Sequence, residues 1–265
     1  MAQHGAFVET RKDGDVAVVR MTNERSRNSL SNEMRVALSA AFAEAAHDDG
    51  TRAIYLTGAG SAFCAGGDLR NLKSLSGPWA AYRRFRRLGE WLLPLLRIEK
   101  PVIVGVNGVA VGGGMGLVFA GDVVVASQSA SFMAGFFRVG VCPDVATMYT
   151  LPRLVGMARA KQLLFGHATW SAQDAFNAGL VAEVVSDDAL DAVCLARAQE
   201  LANGPAEVIG LAKLIMARSF ETGLDEMFLY EGLGQALAMS GAEFREGLDA
   251  LLEKRAARFK DKRNA

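Results

Sequence analysis

The stretch KPVIVGVNGVAVGGGMGLVFAGD, Lys100 to Asp122, sets an apolar strand, a turn and a glycine-opened helix in direct succession. Val102 to Val106 is a short, mostly β-branched run, the pattern of a strand covered on both faces. Asn107-Gly108 breaks it. After Val109-Ala110-Val111, the triple Gly112-Gly113-Gly114 leads into Met115, Leu117, Val118 and Phe119, which suit a buried helix. Glycines there let the backbone approach a ligand, and a helix start offers free N–H groups and the positive end of the dipole, so an anionic oxygen is welcome. Taken alone, the same glycines also read as small residues that permit tight packing of helix on sheet.

A second corner of the same design lies upstream. Ala53 to Thr57 (AIYLT) is an apolar strand, and Ser61-Ala62-Phe63-Cys64-Ala65-Gly66-Gly67-Asp68-Leu69 after it ends in glycines where N–H groups could be exposed. The chain opens with apolar residues on either side of Arg11-Lys12-Asp13-Gly14-Asp15, which reads as a hairpin. Ser31 is an N-cap for a helix through His47, with Met34, Leu38, Ala41, Phe42 and Ala45 on its apolar face. His47 has no second histidine at metal spacing and is read as a solvated helix end. Helical period resumes from Tyr82 to Leu95, with a kink expected at Pro94. Arg83, Arg84, Arg86 and Arg87 on that helix read as a solvated basic face, the alternative being help with a phosphate. Val123 to Ala126 and Val181 to Val185 are further strands, and helices are expected at Val145 to Leu154, Ala158 to Phe165 and Ser171 to Gly179. From Asp187 the pattern is all helix, which divides the chain near Ser186 into an α/β core, residues 1–186, and a helical region, residues 187–265.

Lys plus Arg equals Asp plus Glu at 29 each, so no global charge draws the chain to nucleic acid or an anionic membrane. Cys64, Cys142 and Cys194 have no paired spacing, which argues against a disulfide framework and a zinc site and fits a reducing, cytoplasmic compartment. The N-terminus has neither the basic start nor the apolar core of a signal peptide. Pro101 to Gly121 is 21 uncharged residues, enough to span a bilayer, but seven are glycine and Asn107-Gly108 interrupts it. A buried strand-turn-helix accounts for it better, and no membrane partner is expected.

FCAGGDL together with NGVAVGGG resembles the crotonase superfamily, the enoyl-CoA hydratases and isomerases, and RNSLS at Arg27 to Ser31 and LVGMARA at Leu154 to Ala160 extend the resemblance from about Val16 to Lys260. It implies an α/β fold with a crotonase (ClpP-like) ββα spiral core and a C-terminal helical trimerisation region. It implies homotrimers, often paired into hexamers, and acyl-CoA substrates, with coenzyme A as part of the thioester and no permanently bound cofactor or metal. The oxyanion donors by resemblance are the N–H groups of Gly67 and Gly113, and such a donor is typically worth about 3 to 4 kcal/mol in the transition state. The adenine and pantetheine are implied to lie along Arg25, Ser26 and Arg27 and along Ala65, Gly66, Asp68 and Leu69, with Lys254 reaching the CoA. A dinucleotide fold is the rival for the glycines, but Gly112, Gly114 and Gly116 give GxGxG, not GxGxxG.

The hydratases of the family carry two glutamates where this chain has Gly116 and Phe136. Neither residue can move a proton, which puts ordinary hydration in doubt. Asp144 instead matches the aspartate of ring-1,2-epoxyphenylacetyl-CoA isomerases and of 4-chlorobenzoyl-CoA dehalogenase. The dehalogenase's histidine and tryptophan fall at Gly89 and Phe136, so that reaction lacks two of its parts. The plain alternative for Asp144 is an N-cap on the helix beginning at Val145. Phe132, Phe136 and Phe137 are expected to desolvate Asp144, raise its pKa and suit an apolar or aromatic acyl group. Glu90 is a secondary acid, turned about 100° from the position where relatives place a catalytic group. His167 and Arg138 are read as structural. The expected activity is double-bond or ring isomerisation through Asp144; the alternatives are hydration with Asp144 alone, a dehalogenase- or hydrolase-like reaction, and CoA binding without turnover.

Overall fold

The computed structural model describes residues 3–4, 7–69, 73, 76–166 and 168–262. The opening hairpin forms as expected: β2 (Val8–Asp13) and β3 (Val16–Met21) are antiparallel with Asp13 opposite Val16, and Gly14 takes a φ of 60° in the turn. A two-residue strand, β1 (Gln3–His4), adds to β2. Ser31 caps α1 (Asn32–His47) by accepting from Met34 N at 3.2 Å, and the buried face is Met34, Leu38, Ala41, Phe42 and Ala45. This helix returns the chain to β4 (Ala53–Gly58), parallel to β3.

From there a strand of one sheet turns directly into a short strand of a second sheet three times. The pairs are β4 with β5 (Ala62–Cys64), β6 (Val102–Val106) with β7 (Val109–Val111), and β8 (Val123–Ser127) with β9 (Ser131–Met133). After β5 come α2 (Pro78–Arg86) and α3 (Leu88–Leu96), and after β7 comes α4 (Gly113–Val118). The result is a ββα spiral of two sheets, ordered β1-β2-β3-β4-β6-β8-β11 and β10-β9-β7-β5, completed by β10 (Thr169–Ser171) and β11 (Glu183–Val185). Residues of β4 and β6 are buried throughout, as their unbroken apolar runs require. Between β9 and β11 lie α5 (Thr147–Val155), α6 (Met157–Phe165) and α7 (Ala172–Asn177).

The boundary expected at Ser186 lies just beyond β11, at the start of the helical region. Its first helix, α8 (Leu190–Asn203), shares a core with the sheet, where Cys194 and Ala198 pack with Val18, Tyr55 and Ile103. Beyond it are α9 (Ala206–Met216), α10 (Leu224–Ser240) and α11 (Ala242–Leu252). Buried Arg52 fastens them, donating to the carbonyls of Ala202 at 2.6 Å and Gly204 at 2.8 Å and pairing with Glu243 at 3.4 Å. None of the residues of α10 is buried. Among the described residues no helix is long and apolar enough to cross a membrane.

Three helix boundaries differ from expectation. The break between α2 and α3 comes at Arg87, just before the weak helix former Gly89; Pro94 sits in the last turn of α3, and the helix ends two residues later at Leu96. Helix α5 begins at Thr147, because Val145 and Ala146 both take left-handed φ, 48° and 56°. Helix α11, whose pattern in the sequence runs from Ala242 to about Arg258, stops at Leu252, shortly before Lys254 turns to a φ of 55°.

Candidate active site

The two glycine corners meet. β5 pairs in parallel with β7, setting Cys64 beside Ala110, and the chain beyond each strand turns toward the other. A β-carbon on Gly66 would stand 2.5 Å from Val111 O and 3.4 Å from Gly113 N, so only glycine fits, and its φ of 83° requires glycine as well. Leu30 secures this corner by donating to Gly66 O at 2.8 Å and bridging Gly67 in parallel register. In a parallel bridge the bonds run to the residues flanking Gly67, which leaves its own N–H facing away from Leu30. Gly113 opens α4, so its N–H has no acceptor within the helix. Among the described residues neither N–H takes part in a hydrogen bond.

Half-buried Asp144 lies beside them, with Oδ1 3.5 Å from where Gly113 would carry a β-carbon. Burial pushes its carboxyl above the ordinary range, opposed by the charge of Arg35, its own backbone N–H and the charge of Arg84. The helix-cap reading fails, because Thr147 N bonds the backbone carbonyl of Asp144 at 2.9 Å and two left-handed residues separate the carboxyl from α5. Left-handed φ is strained for β-branched Val145, and the strain has a spatial result. Val145 Cγ2 comes within 2.8 Å of a β-carbon position on Gly113, and the Val145 carbonyl fills the one on Gly116. No side chain fits at residue 116.

Asp144 edges an apolar cavity of about 510 Å³ walled by Phe85, Leu88, Leu92, Leu93 and Leu96 of α2 and α3, with Val141 opposite. These residues, and not the three phenylalanines expected, form the apolar cavity beside Asp144. Phe132 is fully buried in β9, the Phe136 ring lies 3.6 Å from the β-carbon position of Gly112, and Phe137 packs edge-on to Phe165 at 5.6 Å. The segment is a 3-10 turn entered through left-handed Gly135, which sends successive side chains about 120° apart. Gly89 lines the cavity and Glu90 is exposed beside it, as the helical rotation required.

The basic cluster divides. Arg83, Arg86 and Arg87 are exposed, whereas Arg84 is half-buried and acts on Asp144 together with Arg35 of α1. Neither was singled out as a site residue from sequence. A signal existed: Arg84 shares a helical stripe with Leu88, Trp91 and Leu95, of which Trp91 and Leu95 are buried.

Arg25, Ser26 and Arg27 form a turn alongside the first corner, where Ala65 N donates to Arg27 O at 2.9 Å; Asp68 is half-buried and Leu69 is 61% exposed on the rim. Among the described residues no hydrogen bond or ion pair brings Lys254 to this group. Burial pushes the Cys64 thiol up to about 12, so it is a packing residue under the corner. His47 and Arg138 are exposed, and His167 lies outside the described residues.

Residues 11–262 match the family model described as Enoyl-CoA hydratase/isomerase. The chain is 34% identical over 260 residues to the 1,2-epoxyphenylacetyl-CoA isomerase of Escherichia coli (strain K12), covering 97% of this chain and 99% of that protein. It is 37% identical over 248 residues to a probable enoyl-CoA hydratase of Rhodobacter capsulatus, covering 92% and 94%. Among solved structures, the enoyl-CoA hydratase/isomerase of Cupriavidus metallidurans CH34 superposes with a TM-score of 0.93 at 31% identity, covering 97% of each chain.

Proposed function

Because the chain belongs to the enoyl-CoA hydratase/isomerase family, we propose that it isomerises acyl-CoA thioesters, with Asp144 as the group that moves the proton. The observation that carries this reading is the pairing of one carboxylate, at the edge of an apolar cavity, with the open N–H of Gly113, while Gly116 has no space for a side chain and Phe136 is buried. In this reading the thioester oxygen sits between the N–H groups of Gly67 and Gly113. Asp144 takes a proton from the carbon α to the thioester, or γ to it in the reverse sense. The electron pair moves onto the oxygen as an enolate, which the two donors stabilise, and Asp144 returns the proton at the other end of the allylic system. Nothing is gained or lost overall, so the product is an isomer.

The cavity wall of Phe85 and leucines fits an apolar acyl group, aliphatic or aromatic. The CoA moiety follows Arg25 to Arg27 and Ala65 to Leu69. Exposed Leu224, Phe228, Leu229, Leu233 and Leu237 on α10 support assembly into a trimer, or a hexamer of paired trimers, and a cytoplasmic location is in keeping with the free thiols. The names of several relatives favour hydration as a second reading, with Asp144 alone delivering the proton. Incubating a 3-enoyl-CoA with the protein in deuterated buffer separates the two. Isomerisation turns the 3-enoyl-CoA into the 2-enoyl-CoA, whether Asp144 returns the same proton or one exchanged with solvent; hydration turns a 2-enoyl-CoA, offered in parallel, into a hydroxyacyl-CoA; and the absence of both products and of any exchange would leave a binding protein.

A further inference from the structure

The apolar cavity beside Asp144 is a slot with a direction. Leu88, Leu92 and Leu96 recur at every fourth residue along α3 and all line it, as do Gly89 and Leu93 on the neighbouring ridge. Leu88 and Leu96 are the first and last residues of α3, so the lining runs the length of that helix, about 12 Å. Leu92 is buried, and Leu88 and Leu96 are half-buried against the core, which makes their ridge the floor. Leu93, 45% exposed, forms the outer lip, and Gly89 leaves a gap in it, because a β-carbon there would meet only Leu93. The facing wall is the segment from Val141 to Ala146.

The reacting atoms lie at the α2 end of this slot. Asp144 Oδ1 and Leu30 Cδ1 converge on one point, the β-carbon position of Gly113, at 3.5 and 3.3 Å. Two residues beyond Leu30, Asn32 Oδ1 accepts from Nη1 of Arg84, in the last turn of α2, at 3.4 Å. From that end the slot leads away toward Leu96, and among the described residues the only polar side chains lining it are Asp144 and the Cys142 thiol. We infer that the slot takes a linear aliphatic chain along its whole length, so that the substrates are long-chain acyl-CoA thioesters. An extended alkyl chain advances about 1.25 Å per carbon at ordinary bond lengths and angles, so about ten carbons beyond the reacting atoms match the floor of α3. A single aromatic ring would cover one end of it. A hydroxyl or carboxylate carried along the chain would be pressed onto leucines without a partner.

This inference rests on the proposed function for the thioester and on the slot for the chain, and the test keeps the two apart. Saturated acyl-CoAs, from hexanoyl to hexadecanoyl, offer no double bond to shift, so their dissociation constants, measured by calorimetry below their micellar concentrations, read the slot and not the chemistry. Affinity should rise about two- to fourfold with each added methylene, the worth of burying one against an apolar wall, and level off near tetradecanoyl-CoA. Phenylacetyl-CoA should bind no more tightly than octanoyl-CoA. Leu93→Asp, altered at an exposed position, should flatten the series and leave hexanoyl-CoA unchanged. Affinity independent of chain length, phenylacetyl-CoA binding more tightly than dodecanoyl-CoA, or a series as steep in Leu93→Asp as in the parent overturns the inference. A steep series in a protein that isomerises no 3-enoyl-CoA would defeat the proposed function and leave the slot, whereas isomerisation with a flat series defeats only the slot.

Discussion

The carbonyl oxygen of Val145 stands where a β-carbon on Gly116 would have to go, and the Val145 Cβ lies 2.8 Å from the same point. Overpacking of this kind costs about 1 to 3 kcal/mol, so Gly116→Ala should lower the melting temperature and Gly116→Glu should lower it further without creating a hydratase. A Gly116→Ala protein as stable as the parent would show that the strained Val145-Ala146 turn yields.

Hydration of crotonyl-CoA should be slow or absent. Water needs one group to place it and another to exchange protons, and Gly116 and buried Phe136 offer neither. Hydroxybutyryl-CoA appearing at rates comparable with isomerisation would transfer the assignment to Asp144-only hydration.

Asp144→Asn should reduce isomerisation by about 100-fold to 10,000-fold with little change in acyl-CoA affinity. Its effect on stability has a sign. A carboxyl raised by burial keeps its proton longer in the folded than in the unfolded state, so its stability contribution is fully present below the unfolded value, about 3.9, and lost as pH rises through the folded value. Chemical unfolding should therefore show the asparagine variant gaining on the parent as pH rises through that window. Asp144→Ala should escape the cap penalty of about 1 kcal/mol, since the side chain caps no helix.

Acyl-CoA thioesters should raise the melting temperature, by the equivalent of about 2.7 kcal/mol at 100 times the dissociation constant. Protection by NAD and none by any thioester would favour the dinucleotide reading.

Gly89 lines the cavity, and a β-carbon there would meet only Leu93, at 3.6 Å. Gly89→Leu should fill part of the space and reduce kcat/KM for long or aromatic acyl groups more than for a four-carbon substrate. Equal losses across chain lengths would place the acyl group elsewhere.

The sequence by itself determined the strands and the two glycine corners, and its resemblance to the crotonase superfamily implied the spiral. Val102 to Val106 is apolar at every position except Gly105 and can only be a doubly covered strand, and Gly66 and Gly112 to Gly114 leave no side chains to obstruct the meeting of two turns. Ser31 and the period of its helix were equally legible, because cap and amphipathic face are local properties. The tertiary structure alone decided what surrounds Asp144. Whether Phe136 or Leu92 faces the carboxylate, whether Arg84 points to solvent or inward, and whether Val145 closes the space at Gly116 depend on contacts between segments far apart in the chain. Local propensity encodes no such contact. Desolvation and charge at a distance fix the pKa of an acid, and both are set by packing rather than by sequence neighbours.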